Sequence, residues 1–313
     1  MAGAHVVFGA GPIGRALARE LTSRGLPVRV VSRSAVADLP EGADQARGDA
    51  SDPAFAKRVT RDASAVYQCL GVPYWRWAEL FPPLQRSLVT ATQANDARYV
   101  SFENVYMYGS PDGTVLTEEH PLAPCSRKGQ VRTKMAEELA ALSAAGDLAV
   151  ATARSSDYFG PGATWQSPLG DQVIGRALAG KPARVLGDAS QPHSMTYAPD
   201  AARVLATLGT DPMALGQVWH IPNAPAQSMD DMIRMIGTVL GRETPVEVAP
   251  QWLLKVLGVF DRTIREVNEM LYQFTQPFIV DGSKFEAAFG FKPTPLETSI
   301  PATVAWWQAR RQR

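Results

Sequence analysis

The stretch His5-Val6-Val7-Phe8-Gly9-Ala10-Gly11-Pro12-Ile13-Gly14-Arg15-Ala16-Leu17-Ala18-Arg19-Glu20-Leu21 decides the fold. Its apolar opening reads as a short strand that stops at Gly9. Leu17 and Leu21 then lie one turn apart on a helix that Gly25 closes, and Val28 to Val31 reads as a second strand. Gly9, Gly11 and Gly14 stand in the G-x-G-x-x-G spacing. Such a string is common in glycine-rich loops, but here it leaves a strand and opens a helix. That setting turns backbone N–H groups and the positive end of the helix dipole toward a pyrophosphate.

Working outward, Arg47-Gly48-Asp49 precedes a helix begun by Asp52 as cap and Pro53 as first-turn residue. A third apolar run, Ala65 to Leu70, reads as the next strand, and Arg98 to Phe102 as another. Val131, Met135, Leu139 and Leu142 share one helical face ending near Gly146, and Leu148 to Ala153 is again strand-like. Glycine and proline crowd the segment from Gly160 to Gly187, where the chain leaves this alternation; Met195 to Leu208 and Val218 to Ile221 return to it. Ser228 and Asp231 make a capping-box-like start to a helix through Leu240, closed by Gly241. Trp252 to Phe260, interrupted by Lys255 and Gly258, reads as a buried or interface helix. The pattern predicts an α/β fold, a doubly wound parallel Rossmann sheet with a smaller C-terminal substrate subdomain. The expected division is 1–163 with 194–224 for the dinucleotide domain, and 164–193 with 225–313 for the smaller part.

Composition narrows the function. The 313 residues are 45% hydrophobic and 20% charged, which excludes a disordered chain. The 31 basic and 31 acidic residues cancel, which argues against a nucleic-acid or anionic-membrane partner and for a small-molecule ligand. Cys69 and Cys125 are far apart and lack metal-ligand spacing, so no metal is expected, and a cytoplasmic location is the default. The amino-terminal apolar stretch runs into glycines instead of a cleavage site, so it does not read as a signal peptide.

The second strand ends in Ser32-Arg33-Ser34, where a carboxylate would suit the ribose hydroxyls of NAD. A guanidinium and two hydroxyls suit a 2′-phosphate, so NADP is the expected cofactor, with NAD the alternative. Asp49 is placed to accept the adenine amino group, or merely to form a turn.

With these pieces placed, the chain resembles the extended short-chain dehydrogenase/reductases, the NAD-dependent epimerase/dehydratase family. Tyr99 to Gly109 is similar to the family's fifth strand and active-site loop, and Arg154 to Gly162 to its Arg-x-x-Asn-x-Tyr-Gly-Pro-Gly segment. His193 to Asp200 and Phe289-Gly290-Phe291-Lys292-Pro293 match two further family segments. The resemblance implies that Gly9, Gly11, Pro12, Ile13, Gly14, Leu70, Gly71, Ser155 and Lys134 contact the cofactor. It also implies a Tyr-x-x-x-Lys pair and a serine, yet Gln130 stands at the tyrosine position and Asn104 at the serine position. Gln130 is neither acid nor base near neutral pH. Lys134 is the residue that transfers, with the family's double role of holding the nicotinamide ribose and easing proton loss from a nearby acid. Tyr106, two residues beyond Asn104, is the expected substitute proton donor, and would share a face with it if the strand continued; Asn104 would polarise a carbonyl. Tyr108 and Tyr158 are alternatives.

Tyr74, Trp75 and Trp77 follow Gly71, which in the family borders the nicotinamide, and suggest an apolar, ring-shaped substrate. Trp75 and Trp77 read equally well as packing against the next helix. Asp157 stands where the family often has an asparagine that contacts a nucleotide-sugar, which argues against a sugar-nucleotide substrate; Asp157, Tyr158 and His193 are further substrate candidates. The leading expectation is an NADP-dependent oxidoreductase acting on a carbonyl or activated double bond. An epimerase or dehydratase that keeps its NAD(P) bound, and a non-catalytic dinucleotide sensor, are the alternatives. Family members are commonly dimers, so a homodimer is expected.

Overall fold

The computed structural model describes residues 3–250, 259 and 261–312. All of Trp252 to Phe260 except Val259 therefore lies outside the described residues. The chain divides into two compact units, Met1–Met107 with Lys128–Arg154 and Ala201–Trp219, and Tyr108–Arg127 with Ser155–Asp200 and His220–Arg313.

The first unit carries β1 (Ala4–Phe8), α1 (Pro12–Ser23), β2 (Val28–Ser32), β3 (Ala43–Arg47), α2 (Pro53–Val59), β4 (Ala63–Gln68), α3 (Trp77–Gln93), β5 (Arg98–Asn104), α4 (Arg127–Ala144) and β6 (Ala149–Ser155). α5 (Ala198–Thr210) and β7 (Gln217–His220) follow. The seven strands form one sheet in the order β7-β6-β5-β4-β1-β2-β3, and the ladders from β3 across to β5 are parallel. Helical crossovers of this kind bury a parallel sheet on both faces, so β1 and β4 are almost wholly apolar and buried. Val6, Phe8, Val66, Leu88, Tyr99 and Val150 are part of one core beneath them.

β3 precedes the third apolar run of the sequence, Ala65 to Leu70, which falls in and just beyond β4. The residues of β3, Ala-Asp-Gln-Ala-Arg, line the sheet's outer edge, half exposed, so no apolar run announces them. Asp52 caps α2 as expected, its side chain accepting the N–H of Ala54, with Pro53 in the first turn. α3 contains Pro82 and Pro83 and still buries Trp77, Phe81 and Leu88.

In the second unit, Asp157–Phe159 pairs parallel with Met195–Tyr197, Pro192–His193 antiparallel with Gln227–Ser228, and Ala183–Leu186 parallel with Val246–Ala249. Its core gathers Phe159, Val173, Met195, Ile233, Ile236 and Trp307. α6 (Met229–Leu240) begins where the Ser228 hydroxyl accepts the N–H of Asp231 and ends at Gly241, whose φ of +64° is left-handed. α7 (Arg262–Asn268), α8 (Ser283–Phe289) and α9 (Leu296–Arg311) follow among the described residues. Among the described residues, no helix is long and apolar enough to cross a membrane and no cluster of His, Cys, Asp or Glu is placed to hold a metal ion.

Candidate functional site

The glycine turn between β1 and α1 is shaped by what side chains would meet there. Gly9 has φ +111°, and a Cβ on it would strike the carbonyl of Cys69 at the end of β4. A Cβ on Gly14 would strike the carbonyl of Gly9, so α1 could not sit this close to the turn. Gly11 differs. It has φ −73°, any residue could adopt its backbone, and a Cβ there would enter open space. The first glycine thus makes the turn, the third permits close packing, and the second keeps clear the volume that a pyrophosphate occupies at a helix N-terminus. Gly11 caps α1 without a side chain and Pro12 holds its first position, while Ile13 and Gly14 are buried behind the turn. The residues present fit a dinucleotide.

At the end of β2 the Ser32–Ser34 turn is tied by its own contacts. The Ser32 hydroxyl donates to the Ser34 carbonyl at 2.8 Å, and the Gln45 amide donates to both the Ser32 hydroxyl and the Ser34 carbonyl at 2.7 Å. Arg33 and Ser34 are exposed. Asp49 is held below the usual carboxylate range, first by the N–H of Ser51, then by its hydroxyl, with the charge of Arg33 adding to the effect. Asp38, the acid that follows this turn, is engaged by Arg15 and Arg19 of α1. Leu70 is half-buried and Gly71 exposed beyond the end of β4.

β5 stops at Asn104, and Tyr106–Tyr108 coils into a 3-10 turn. The shared strand face expected for Asn104 and Tyr106 is therefore absent; instead the Asn104 side-chain Oδ1 accepts the backbone N–H of Tyr106 at 3.2 Å. Tyr106 is buried among aromatics. Its ring stacks on Trp77 at 5.8 Å, and its hydroxyl lies 3.1 Å from that of Tyr74. Trp77 also meets Tyr74 and Phe81 edge-on, at 5.2 and 5.0 Å. Trp75 is exposed at 43%.

Lys134 and Gln130 are both exposed on α4. The face of α4 that is buried runs through Lys128, Arg132, Met135 and Leu139. Lys128 lies 5.2 Å from the centre of the Tyr74 ring, and the Arg132 guanidinium lies over Phe81 and Trp77 at 4.2 and 4.9 Å. Burial pulls the Arg132 pKa down, against the opposing pull of Glu103 and of the Tyr106, Tyr99 and Tyr74 phenols. Glu103 in turn accepts from Arg154 at 3.2 Å and from Ser101 at 3.0 Å, all three being buried. Lys128 and Arg132 escaped the reading of the sequence although a signal was present. One heptad back from Met135 and Leu139 lie Lys128 and Arg132, on the same face of the helix.

The second unit brings two of the predicted substrate residues together. His193 is buried between the rings of Phe274 and Phe278, 4.9 and 5.2 Å away, with its Nε2 at 3.1 Å from the Asp157 carboxylate and its Nδ1 at 3.1 Å from the Gln273 carbonyl. Tyr158 is half-buried beside Asp157, and Ser155 is buried with its hydroxyl donating to the Ser156 carbonyl. Tyr108, one of the alternative acids, is fully buried and bonded to His220 at 2.7 Å.

The chain is 24% identical over 221 residues to the dTDP-glucose 4,6-dehydratase of Xanthomonas campestris pv. campestris (strain B100), a match covering 69% of this chain and 59% of that relative. Its fold is shared with the dTDP-glucose 4,6-dehydratase of Bacillus anthracis str. Ames, solved in complex with NAD, at a TM-score of 0.82 and 16% identity over 99% of this chain and 98% of that one. The UDP-glucuronic acid 4-epimerase of Bacillus cereus, also in complex with NAD, superposes with a TM-score of 0.78 at 18% identity over 99% and 98%. Residues 5–221, which include the glycine turn, the Tyr106 loop and α4, match the NAD dependent epimerase/dehydratase family, and the chain belongs to it.

Proposed function

We propose that the chain is a nicotinamide-dinucleotide enzyme of the epimerase/dehydratase kind, which oxidises a carbinol of its substrate and later returns the hydride to the same molecule. The observation that carries this reading is the glycine turn, where Gly9 and Gly14 are sterically required and Gly11 opens onto empty space. Membership of the family and the relatives named for dehydratase and epimerase activity support it over a net reductase. The dinucleotide, when bound, supplies a hydride acceptor and donor. Gly9, Gly11, Pro12, Ile13, Gly14, Leu70, Gly71 and Ser155 would hold it; Arg33, with Ser32 and Ser34, would read a 2′-phosphate and Asp49 the adenine. Lys134 would hold the nicotinamide ribose. Tyr106 exchanges the proton of the substrate hydroxyl, and Asn104 supports the Tyr106 backbone. Tyr74, Trp75 and Trp77 are proposed substrate residues of the first unit. Asp157, Tyr158 and His193 are proposed separately as substrate residues of the second.

Nucleotide-activated sugars, which the relatives' names carry, are the first substrate class to try. The aromatic group around Tyr106 favours a second reading, a net NADPH-consuming reductase of an apolar carbonyl compound. Cofactor accounting separates the two. With dTDP-glucose, UDP-glucuronic acid and a panel of aryl ketones, the first reading predicts product with unchanged 340 nm absorbance. One NADPH lost per product would establish the second.

A further inference from the structure

His193, in the second unit, is enclosed on both faces and at both nitrogens of its ring. It is 2% exposed, and its backbone is pinned between Gln227, its antiparallel partner, and Phe278, to which it is bridged in parallel. The ring lies between those of Phe274 and Phe278, with interplanar angles of 5° and 19°. Nδ1 is 3.1 Å from the Gln273 carbonyl oxygen and Nε2 is 3.1 Å from Asp157 Oδ2, so a carbonyl and a carboxylate face the two nitrogens. A neutral imidazole has one N–H and can serve only one of these acceptors, leaving a lone pair against the other oxygen. The geometry therefore calls for one proton more than a neutral ring and a carboxylate hold between them. Two features put that proton on the ring. Aromatic faces lie parallel to it on both sides, the surroundings of a cation. The Asp157 side chain is 17% exposed, so its charge keeps some water, and it answers the imidazolium directly.

We infer that His193, as an imidazolium, is the positioning residue for Asp157, holding it as a full carboxylate that accepts from a hydroxyl or amino group of the substrate and turns away a phosphate. The parallel register that sets Met195 beside Asp157 brings His193, two residues earlier, to the carboxylate. Both ring nitrogens of His193 are spent inside the protein, whereas Asp157 gives Oδ2 to the ring and keeps Oδ1 for a ligand. The other titratable groups around the pair are Tyr272, Glu269 and Cys125. Burial, then the charges of Cys125 and Asp157, push the Tyr272 phenol up, and burial pushes the Cys125 thiol up, so both stay neutral. Glu269 accepts the backbone N–H of Arg127. The inference deepens the proposed function and rests on it for the ligand, with Asp157 as the group that meets substrate and His193 acting through it.

The protonation of the ring can be read without any substrate. The experiment is long-range 1H–15N spectroscopy of the full chain labelled at histidine, near neutral pH. The His193 signals are identified by their loss in His193→Gln, or by elimination with His5→Gln, His120→Gln and His220→Gln if that variant does not fold. Both His193 nitrogens are expected to carry protons in the wild type. In Asp157→Asn the new amide can donate to Nε2, so the ring is expected to keep a single proton, on Nδ1. A ring with one proton in the wild type, or two protons that survive in Asp157→Asn, would overturn the assignment. Inorganic phosphate should leave the wild-type His193 signals in place; a saturable shift would overturn the preference for a donor group. Binding of NADH and NADPH, followed separately, keeps the two proposals apart. A doubly protonated ring in a protein that binds neither dinucleotide supports the pair and overturns the proposed function, while dinucleotide binding with a singly protonated ring overturns the pair alone.

Discussion

At the scale of the residue, Arg33 and His5 make opposite kinds of demand on their surroundings. Arg33 is exposed in a turn that Gln45 braces, so its side chain is free to meet a phosphate without loss of packing. Arg33→Ala is expected to weaken NADPH binding at least tenfold, about 1.4 kcal/mol, and to leave NADH binding and Tm unchanged. Equal loss for both cofactors would remove the 2′-phosphate role. His5 is 4% exposed in β1 and bonded to the Tyr67 hydroxyl at 2.7 Å. Burial, then the charges of Arg98 and Arg24, lower its pKa from 6.5 to about 4. The unfolded chain therefore takes up this proton first. The stability that neutral His5 contributes is complete above pH 6.5 and drains away as pH falls toward 4, by about 2 kcal/mol at most. Thermal melts of wild type and His5→Gln across pH 4 to 7 check this, the variant losing part of that slope.

Elements differ in how openly the sequence declares them. β1, β4 and the glycine turn were legible because buried parallel strands are mostly apolar and the turn admits only glycine at Gly9 and Gly14. β3 was not, because an edge strand needs no apolar face. α4 was legible as a helix, but the burial of Lys128 and Arg132 was not, since both lie on a face that reads as core while Lys134, which aligns with the family lysine, is exposed. Likewise, Tyr106 was expected to share a strand face with Asn104, but its 3-10 turn and its Tyr74 partner depend on contacts between distant segments that no local pattern encodes. Capping is a case where local pattern suffices. Ser228 accepts the Asp231 N–H at 3.1 Å at the start of α6, so Ser228→Ala should cost about 1 kcal/mol, read as a lowered Tm with unchanged NADH binding.

For the molecule as a whole, the family and the fold follow from residues spread across both units, whereas the proposed activity rests on one short turn. The positions that the family resemblance gives to tyrosine and serine are filled by Gln130 and Asn104, and Tyr106, the proposed proton donor, belongs with its Tyr74 partner to the same unit as the glycine turn. The central claim is that this turn receives a dinucleotide, and Gly11 allows it to be tested without harming the fold. Its backbone suits any residue and its Cβ direction is open, so Gly11→Val should fold with an unaltered Tm while filling the space of the pyrophosphate. The most direct measurement is titration of wild type and Gly11→Val with NADH and NADPH, following energy transfer from tryptophan to the reduced nicotinamide. Saturable binding by the wild type, with at least a hundredfold loss, about 2.7 kcal/mol, in a folded Gly11→Val, is the predicted result. No binding by the wild type, or equal binding by the variant, would contradict it.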